Sequence, residues 1–197
     1  KMTSGKKPIP PTEYTRDYYL TSCQGHEEFL SSSGRELPLR LSLPFELASI
    51  SPGMRIVDIG CGRGEIILHS ALQGATAWGI DYSWEAVSLS KEALRTVSET
   101  EIPGQFSVQQ ADAKCLPYKS ESIDVVFMLD VVEHLVPEEL QDTLSESRRI
   151  LKPGGRLVIH TMPNLWYYHF GYPLYRFLQR LRGAILPSDP RQRWAYS

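Results

Sequence analysis

The chain has few cysteines and no long uncharged apolar run, and these absences exclude several classes of protein. Its 197 residues include three cysteines, none in a CxxC pair, which argues against a disulfide framework and against a zinc site. The most apolar stretch, 123–136, contains three acidic residues, and the N-terminus lacks the apolar core of a signal peptide. We therefore expect neither a membrane span nor a signal peptide, and a reducing, cytoplasmic location fits.

An excess of charge of one sign is also missing. Lys and Arg number 21 and Asp and Glu number 23, which gives a net charge of −2. Such a balance is too neutral for a general nucleic-acid binder, so no nucleic-acid partner is expected. Hydrophobic residues make up 42% of the chain, enough to bury a core and to exclude disordered and fibrous classes.

Short apolar runs alternate with helical patterns between residues 54 and 161. Strands are predicted at 54–59, 76–80, 106–111, 123–129 and 156–161. A helix is predicted to begin at Pro137, because proline is followed there by acidic residues and the basic residues come near its end. The pattern predicts an α/β fold: a Rossmann-like, doubly wound parallel sheet of about five strands with helices on both faces. Ligands of such sheets bind at the carboxyl ends of the strands.

The chain divides into four segments, which we expect to form one domain. They are a flexible arm at 1–13, an N-terminal helical cap at 14–53, a cofactor-binding α/β core at 54–161, and an aromatic, basic C-terminal helix and tail at 162–197. Leucines at helical spacing within 39–50 predict a helix in the cap. The last segment holds nine of the twenty aromatic residues and five arginines against one acid.

A glycine-rich turn follows the first predicted strand, with the spacing Gly60-x-Gly62-x-Gly64, and Asp58 precedes it. A carboxylate at that place would repel the pyrophosphate of a dinucleotide but would attract an ammonium or sulfonium group. Asp81, at the end of the second strand, can accept hydrogen bonds from both hydroxyls of a ribose. These residues indicate a nucleoside ligand without phosphates and disfavour a dinucleotide oxidoreductase.

Five motifs in this order resemble those of the class I S-adenosylmethionine-dependent methyltransferases. They are VDIGCGRGE at 57–65, the acid Asp81, the pair Asp112-Ala113, LDVVEH at 129–134 and LKPGG at 151–155. The resemblance covers about residues 54–161. It implies S-adenosylmethionine as the cofactor and S-adenosylhomocysteine as the product. It also leads us to expect that the terminal hairpin of the family is missing or truncated in this chain.

The resemblance assigns cofactor contacts residue by residue. It places the methionyl part of the cofactor against Gly60, Cys61 and Gly62, with Asp58 near its ammonium and Asp81 at its ribose. The other cofactor contacts that it implies are Tyr82 after Asp81, Asp112 and Ala113 at the adenine, Leu129, Asp130 and Val131 along the pocket, and Tyr19 and Gly25 in a segment that closes over the cofactor. Two alternatives stay open: the capping of a turn for Asp112, and surface packing for Tyr19 and its segment.

His134 is the candidate catalytic residue, because a neutral imidazole after the fourth strand could take a proton from an acceptor hydroxyl. A helix-capping or pocket-wall role is the alternative.

We expect no metal site. The resemblance favours a methyltransferase acting on a small or lipid-like acceptor, whose identity the sequence does not give. The alternative function is a cofactor-binding subunit that is non-catalytic or activates a partner, and a homo-oligomer is left open.

A helix is predicted over 173–186, with one apolar stripe and arginines largely off it. The stripe consists of Leu174, Phe177, Leu178, Leu181 and Ile185. Packing of the stripe on the sheet is one interpretation. The other is that this helix, with Trp166, Tyr167, Tyr168 and Tyr172, forms a lid over an apolar acceptor or rests on an anionic membrane surface through 166–186.

Overall fold

The computed structural model describes residues 8–23, 25–97, 102–161, 167–183 and 186, and its backbone alternates strands with helices. The strands are β1 (Arg55–Ile59), β2 (Thr76–Asp81), β3 (Gln105–Gln110), β4 (Ile123–Leu129) and β5 (Leu151–His160). The α-helices are α1 (His26–Ser32), α2 (Leu39–Ala48), α3 (Glu65–Leu72), α4 (Trp84–Arg95), α5 (Pro137–Ile150) and α6 (Tyr172–Leu181). Short 3₁₀ and π turns lie at Pro11–Glu13, Tyr18–Ser22 and Tyr167–Gly171.

Two compact units make up the chain, Lys1–His160 and Thr161–Ser197. The first contains the sheet and α1 to α5, and the second contains α6. Several residues of the sequence predictions lie outside the described residues: the first seven of the arm, Trp166, Ile185 and the tail from 187. No helix in the described part of the chain is long and apolar enough to cross a membrane.

The sheet has the order β3-β2-β1-β4-β5, and every pairing in it is parallel. The strand order reverses at β1, which lies between β2 and β4, and this reversal opens a crevice at the carboxyl ends of the strands. The predicted parallel α/β fold is confirmed.

Alternate residues of the central strands pack into two separate hydrophobic clusters. Ile56 and Phe127 belong to a cluster with α2, α3 and α4, whereas Val57 and Met128 belong to a cluster with the end of α5. Because both faces of β1 and β4 are covered, their sequences are continuous apolar runs rather than alternating ones.

Two predicted boundaries differ from the structure by several residues, whereas the others differ by one residue at most. Strand β5 begins at Leu151, not Arg156, because Leu151 pairs with Ile123 before a register shift brings Arg156 opposite Val125. Helix α6 ends at Leu181, before the predicted end at 186. Gly183, with φ +82°, provides the left-handed residue that commonly ends a helix.

The most regular row of leucines in helix α2 is exposed, and the helix buries another of its faces. Leu39, Leu43 and Leu47 are 53–76% exposed, whereas Phe45 is buried and its ring stacks on Phe127 with centroids 6.1 Å apart. The helix carries apolar residues on two faces, so helical spacing alone did not identify the buried one.

The glycine turn after β1 is held against β2 and β4. The N–H groups of Gly60 and Cys61 both donate to the carbonyl of Ile80, over 2.8 and 3.0 Å. Gly60 has φ +72°, and a Cβ atom there would lie 2.5 Å from Cγ2 of Val131. The turn therefore requires glycine for its backbone conformation and for close packing on the chain after β4.

We predict that Gly60→Ala destabilises the fold more than Gly53→Ala. Gly53 has φ +80°, and a Cβ added there would have open space within 4 Å, so both variants carry a similar backbone strain of about 1–2 kcal/mol. Gly60→Ala adds a clash with Val131, costing about 1–3 kcal/mol more. Urea denaturation of the two variants measures the difference, and equal losses of stability would contradict the packing of Gly60 on Val131.

Candidate functional site

The carboxylate of Asp81 lies at the end of β2 and is fixed by two backbone donors. The N–H of Gly62 donates to Oδ2 over 3.1 Å, and the N–H of Ser83 donates to Oδ1 over 2.9 Å. The residue is 5% exposed. Burial raises the pKa of Asp81 to about 6, although the two N–H groups oppose this effect. Each oxygen can accept a further hydrogen bond, so the carboxylate remains able to bind ligand hydroxyls.

Asp58 is buried on the neighbouring strand, one residue before the end of β1. Burial, together with the nearby carboxylates of Glu65 and Asp81, raises the pKa of Asp58 well above its ordinary value. Glu65 forms an ion pair with Arg63, whose Nη2 lies 2.8 Å from Oε1. When ionised, Asp58 and Asp81 concentrate negative potential around the glycine turn, and a cationic ligand favours this ionised state whereas a phosphate opposes it.

Arg63 joins the glycine turn to the N-terminal segment. Its buried guanidinium donates to the carbonyls of Tyr19 and Cys23 over 2.9 and 3.3 Å. Cε1 of Tyr19 consequently lies 3.7 Å from the position of a Cβ on Gly62. Burial and the nearby charge of Asp81 raise the pKa of the Tyr19 phenol. The predicted site residue Tyr19 therefore lies beside the turn.

Gly25 lies in the same region, at the start of α1, with φ +82°. A Cβ there would lie 2.9 Å from Cγ of Pro38, 3.4 Å from Nη2 of Arg63 and 3.5 Å from Nη2 of Arg40. A side chain at this position would thus collide with the cap or displace two guanidinium groups. The structure brings Gly25 and Tyr19 to the same side of the glycine turn through Arg63.

Tyr82 and His134 both lie against Tyr14. Their rings make edge contacts with the Tyr14 ring, at centroid distances of 5.5 and 5.7 Å. The hydroxyl of Tyr82 donates to the carbonyl of Ile9 over 2.9 Å, and the hydroxyl of Ser83 donates to the carbonyl of Tyr14 over 3.0 Å. The segment 9–14 is therefore attached to the carboxyl end of β2.

Asp112 makes the contacts of a turn residue. Its side chain is 56% exposed, Oδ1 accepts the N–H of Lys114 over 2.9 Å, and Oδ2 lies 3.2 Å from Nζ of that lysine. Ala113 is half-buried against the cluster that contains Val126. The turn-capping interaction is present, and the contact of Asp112 with adenine stays a prediction.

Asp130 links β4, β5 and α2 through contacts that were not predicted from the sequence. Its Oδ1 accepts a hydrogen bond from Nδ1 of His160 over 2.7 Å, and its Oδ2 forms an ion pair with Arg40. The backbone N–H of Asp130 also donates to the carbonyl of His160 over 2.9 Å. Because an ionised carboxylate can only accept, this contact assigns the donor role to Nδ1 of His160, and Nε2 is then the acceptor nitrogen of the neutral ring.

The backbone at Asp130 supports a functional interpretation of this group. Asp130 has φ +57°, a region that non-glycine residues rarely adopt and that tends to occur at functional sites. On either side, Leu129 is buried and Val131 packs on Gly60. His160 ends β5, and a titratable residue at the carboxyl end of a parallel strand is the signal that could have identified it from sequence.

Cys61 is a small, buried residue of the turn. Its Sγ lies 3.9 Å from Oγ of Ser90, and burial raises the pKa of the thiol well above its usual range. Such a thiol is a poor nucleophile. No group of three His, Cys, Asp or Glu residues able to hold a metal ion occurs among the residues that the structure describes.

Comparison with known families gives a match to the turn and the sheet. A family model described as "Methyltransferase domain" matches residues 57–159, slightly more than half of the chain. The chain is 33% identical over 126 residues to an uncharacterized methyltransferase of Synechocystis, which covers 63% of this chain and 55% of that protein. It is 31% identical over 126 residues to a ubiquinone biosynthesis O-methyltransferase of Aliivibrio fischeri, covering 64% and 51%.

Solved structures also resemble this chain. A SAM-dependent methyltransferase of Methanosarcina mazei matches with a TM-score of 0.59 and 27% identity, covering 75% of this chain and 72% of that one. The PH0226 protein of Pyrococcus horikoshii matches with a TM-score of 0.58 and 22% identity, covering 91% and 70%, which shows the fold alone.

The sequence matches cover part of each relative, since the chain spans about half the length of the curated relatives named above. Within that span, the family model, the strand order and the glycine turn between two buried acids all agree. The chain belongs to the S-adenosylmethionine-dependent methyltransferase family.

Proposed function

We propose that the protein transfers a methyl group from S-adenosylmethionine to a small or lipid-like acceptor. The observation that carries the proposal is the pair of buried carboxylates, Asp58 and Asp81, beside a glycine turn. When bound, S-adenosylmethionine supplies a methyl group on a sulfonium ion that is already activated for displacement. The task of the protein is then to align the acceptor with it, which can contribute about 7–11 kcal/mol to the lowering of the barrier.

Each part of the site fits one part of this cofactor. Asp81 has accepting capacity on both oxygens for the two ribose hydroxyls, and its backbone donors hold it in one orientation. Asp58 is buried near two other carboxylates, and an ammonium group would relieve the cost of its burial. Tyr19 and Gly25 lie on the side from which the N-terminal segment would cover the cofactor.

The relatives support a small-molecule acceptor. One of them is named for O-methylation and another for C-methylation in quinone biosynthesis. Neither name fixes the acceptor of this chain. A screen of small phenols, carboxylates, amines and carbon acids, with consumption of S-adenosylmethionine as the readout, would identify its class.

For a hydroxyl acceptor, we assign proton removal to His160. Nε2 of His160 would take the hydroxyl proton, and Asp130 would stabilise the resulting imidazolium through Nδ1. The bound cofactor would supply the methyl group and, on cleavage of its sulfur–methyl bond, would leave as S-adenosylhomocysteine. Arg40 occupies the second oxygen of Asp130 and so fixes the orientation of the pair. His134, the candidate from the sequence, packs against the Tyr14 ring, as its pocket-wall alternative expects.

We predict that affinity for S-adenosylhomocysteine falls as the pH falls through about 6. The ligand favours the ionised form of Asp81, whose pKa of about 6 in the free protein leaves about a tenth of it ionised near pH 5. Calorimetry near pH 7.5 and near pH 5 should therefore show a loss of about tenfold from this group.

The variant Asp81→Ala isolates that effect. It should weaken binding near neutral pH by about 1–3 kcal/mol through lost charge-assisted hydrogen bonds, and it should lose the pH dependence centred near 6. Unchanged affinity in Asp81→Ala would contradict the assignment of Asp81 to the ribose, and measurable binding of NAD would contradict the selection of a nucleoside without phosphates.

We predict that His160→Gln lowers turnover by about 10²-fold and leaves affinity for S-adenosylhomocysteine within about twofold. The matched variant His134→Gln should lower turnover less, because a ring that forms part of the pocket wall takes no proton. Rates with an acceptor found in the screen decide the order. A larger loss in His134→Gln would transfer the role of base to His134, and cofactor binding without turnover on any acceptor would favour the non-catalytic alternative.

A further inference from the structure

Helix α6 presents an apolar face to solvent. Leu174, Phe177, Leu178 and Leu181 are 61%, 59%, 48% and 70% exposed. At the helical repeat these four side chains fall within an arc of about 100°. An exposed apolar arc of this kind, made of large side chains, marks a surface for interaction rather than a solvated face.

Charge around this arc is of one sign. Residues 162–188 contain Arg176, Arg180 and Arg182 and no aspartate or glutamate. On the helical repeat, Arg180 and Arg182 fall on opposite flanks of the arc, and Tyr175 lies beside the second flank. The whole segment 162–197 has five arginines and one acid, although the complete chain has a net charge of −2.

We propose that α6 is a docking surface for an anionic lipid bilayer, with its axis in the plane of the membrane. The apolar arc would enter the boundary between headgroups and acyl chains, and the flanking arginines would reach lipid phosphates. The ten residues of α6 span about 15 Å, half the thickness of a hydrocarbon core, so the helix lies on the membrane and does not cross it.

Charge complementarity favours a lipid surface over a second copy of α6. Two such helices packed face to face would join two segments that carry arginines and no acid, so neither segment would neutralise the charge of the other. With anionic headgroups, each basic residue near the membrane surface instead raises the binding constant about fivefold, which corresponds to about 1 kcal/mol. This proposal does not depend on the acceptor or on methyl transfer.

The test is cosedimentation of the full chain with vesicles. One set contains phosphatidylcholine alone, and the other contains phosphatidylcholine with phosphatidylglycerol. We expect binding to the second set in about 0.05 M NaCl, and a loss of at least about tenfold in about 0.5 M NaCl, because salt screens the arginines. No binding to anionic vesicles at low salt, or equal binding to neutral vesicles, would overturn the proposal.

Matched variants test the apolar arc and the flanking arginines separately. Leu178→Glu should weaken vesicle binding at least about tenfold, whereas Leu47→Glu, at a leucine on α2 that is 76% exposed, should change it less than about twofold. The double variant Arg180→Gln/Arg182→Gln should weaken binding about 25-fold. Arg95→Gln, at an exposed arginine on α4, is its control.

Two further results separate this proposal from its alternatives. A dimer that forms at rising protein concentration and that Leu178→Glu abolishes would assign the face to a second copy and overturn the lipid assignment. Calorimetry with S-adenosylhomocysteine on the same samples should give equal affinities for the wild type and Leu178→Glu. Absent cofactor binding with intact vesicle binding would reject the proposed function and leave the lipid surface standing.

Discussion

The burial of Asp58 and Asp81 at the adjacent carboxyl ends of β1 and β2 is the constraint on which the site depends. A buried carboxylate is unfavourable unless a partner stabilises it. Asp81 has two backbone donors and its pKa is still raised to about 6, and the pKa of Asp58 is raised well above its ordinary value. The free protein therefore holds unfavourable electrostatic energy that a cationic ligand with ribose hydroxyls would relieve. Selection against phosphates follows from the same charges.

Arg63 extends this constraint to the N-terminal segment. Its ion pair with Glu65 leaves N–H groups that reach the carbonyls of Tyr19 and Cys23. Because these carbonyls belong to the segment before α1, the order of that segment depends on the same turn that faces the cofactor. Binding at the turn and ordering of the segment are thus expected to reinforce each other.

The strands and the acids that end them could be predicted from sequence, because a parallel sheet makes its strands continuous apolar runs and places their carboxyl ends together. The pairing of His160 with Asp130 could not, since it depends on the register between β4 and β5 and on the unusual backbone at Asp130. The start of β5 could not be predicted either, because Leu151 pairs with Ile123 only through a register shift in the sheet. In α2 it left the buried face undetermined, because apolar residues occupy two faces and the contact of Phe45 with Phe127 selects one.

Equilibrium dialysis of the full chain against S-adenosylmethionine labelled in its methyl group tests the central claim most directly, because it measures occupancy of the site between Asp58 and Asp81 without reference to any acceptor. We expect saturable binding of about one ligand per chain, displaced by S-adenosylhomocysteine and unaffected by an excess of NAD. Absence of saturable binding, or displacement of the label by NAD, would contradict the claim that these two buried carboxylates select a cationic nucleoside.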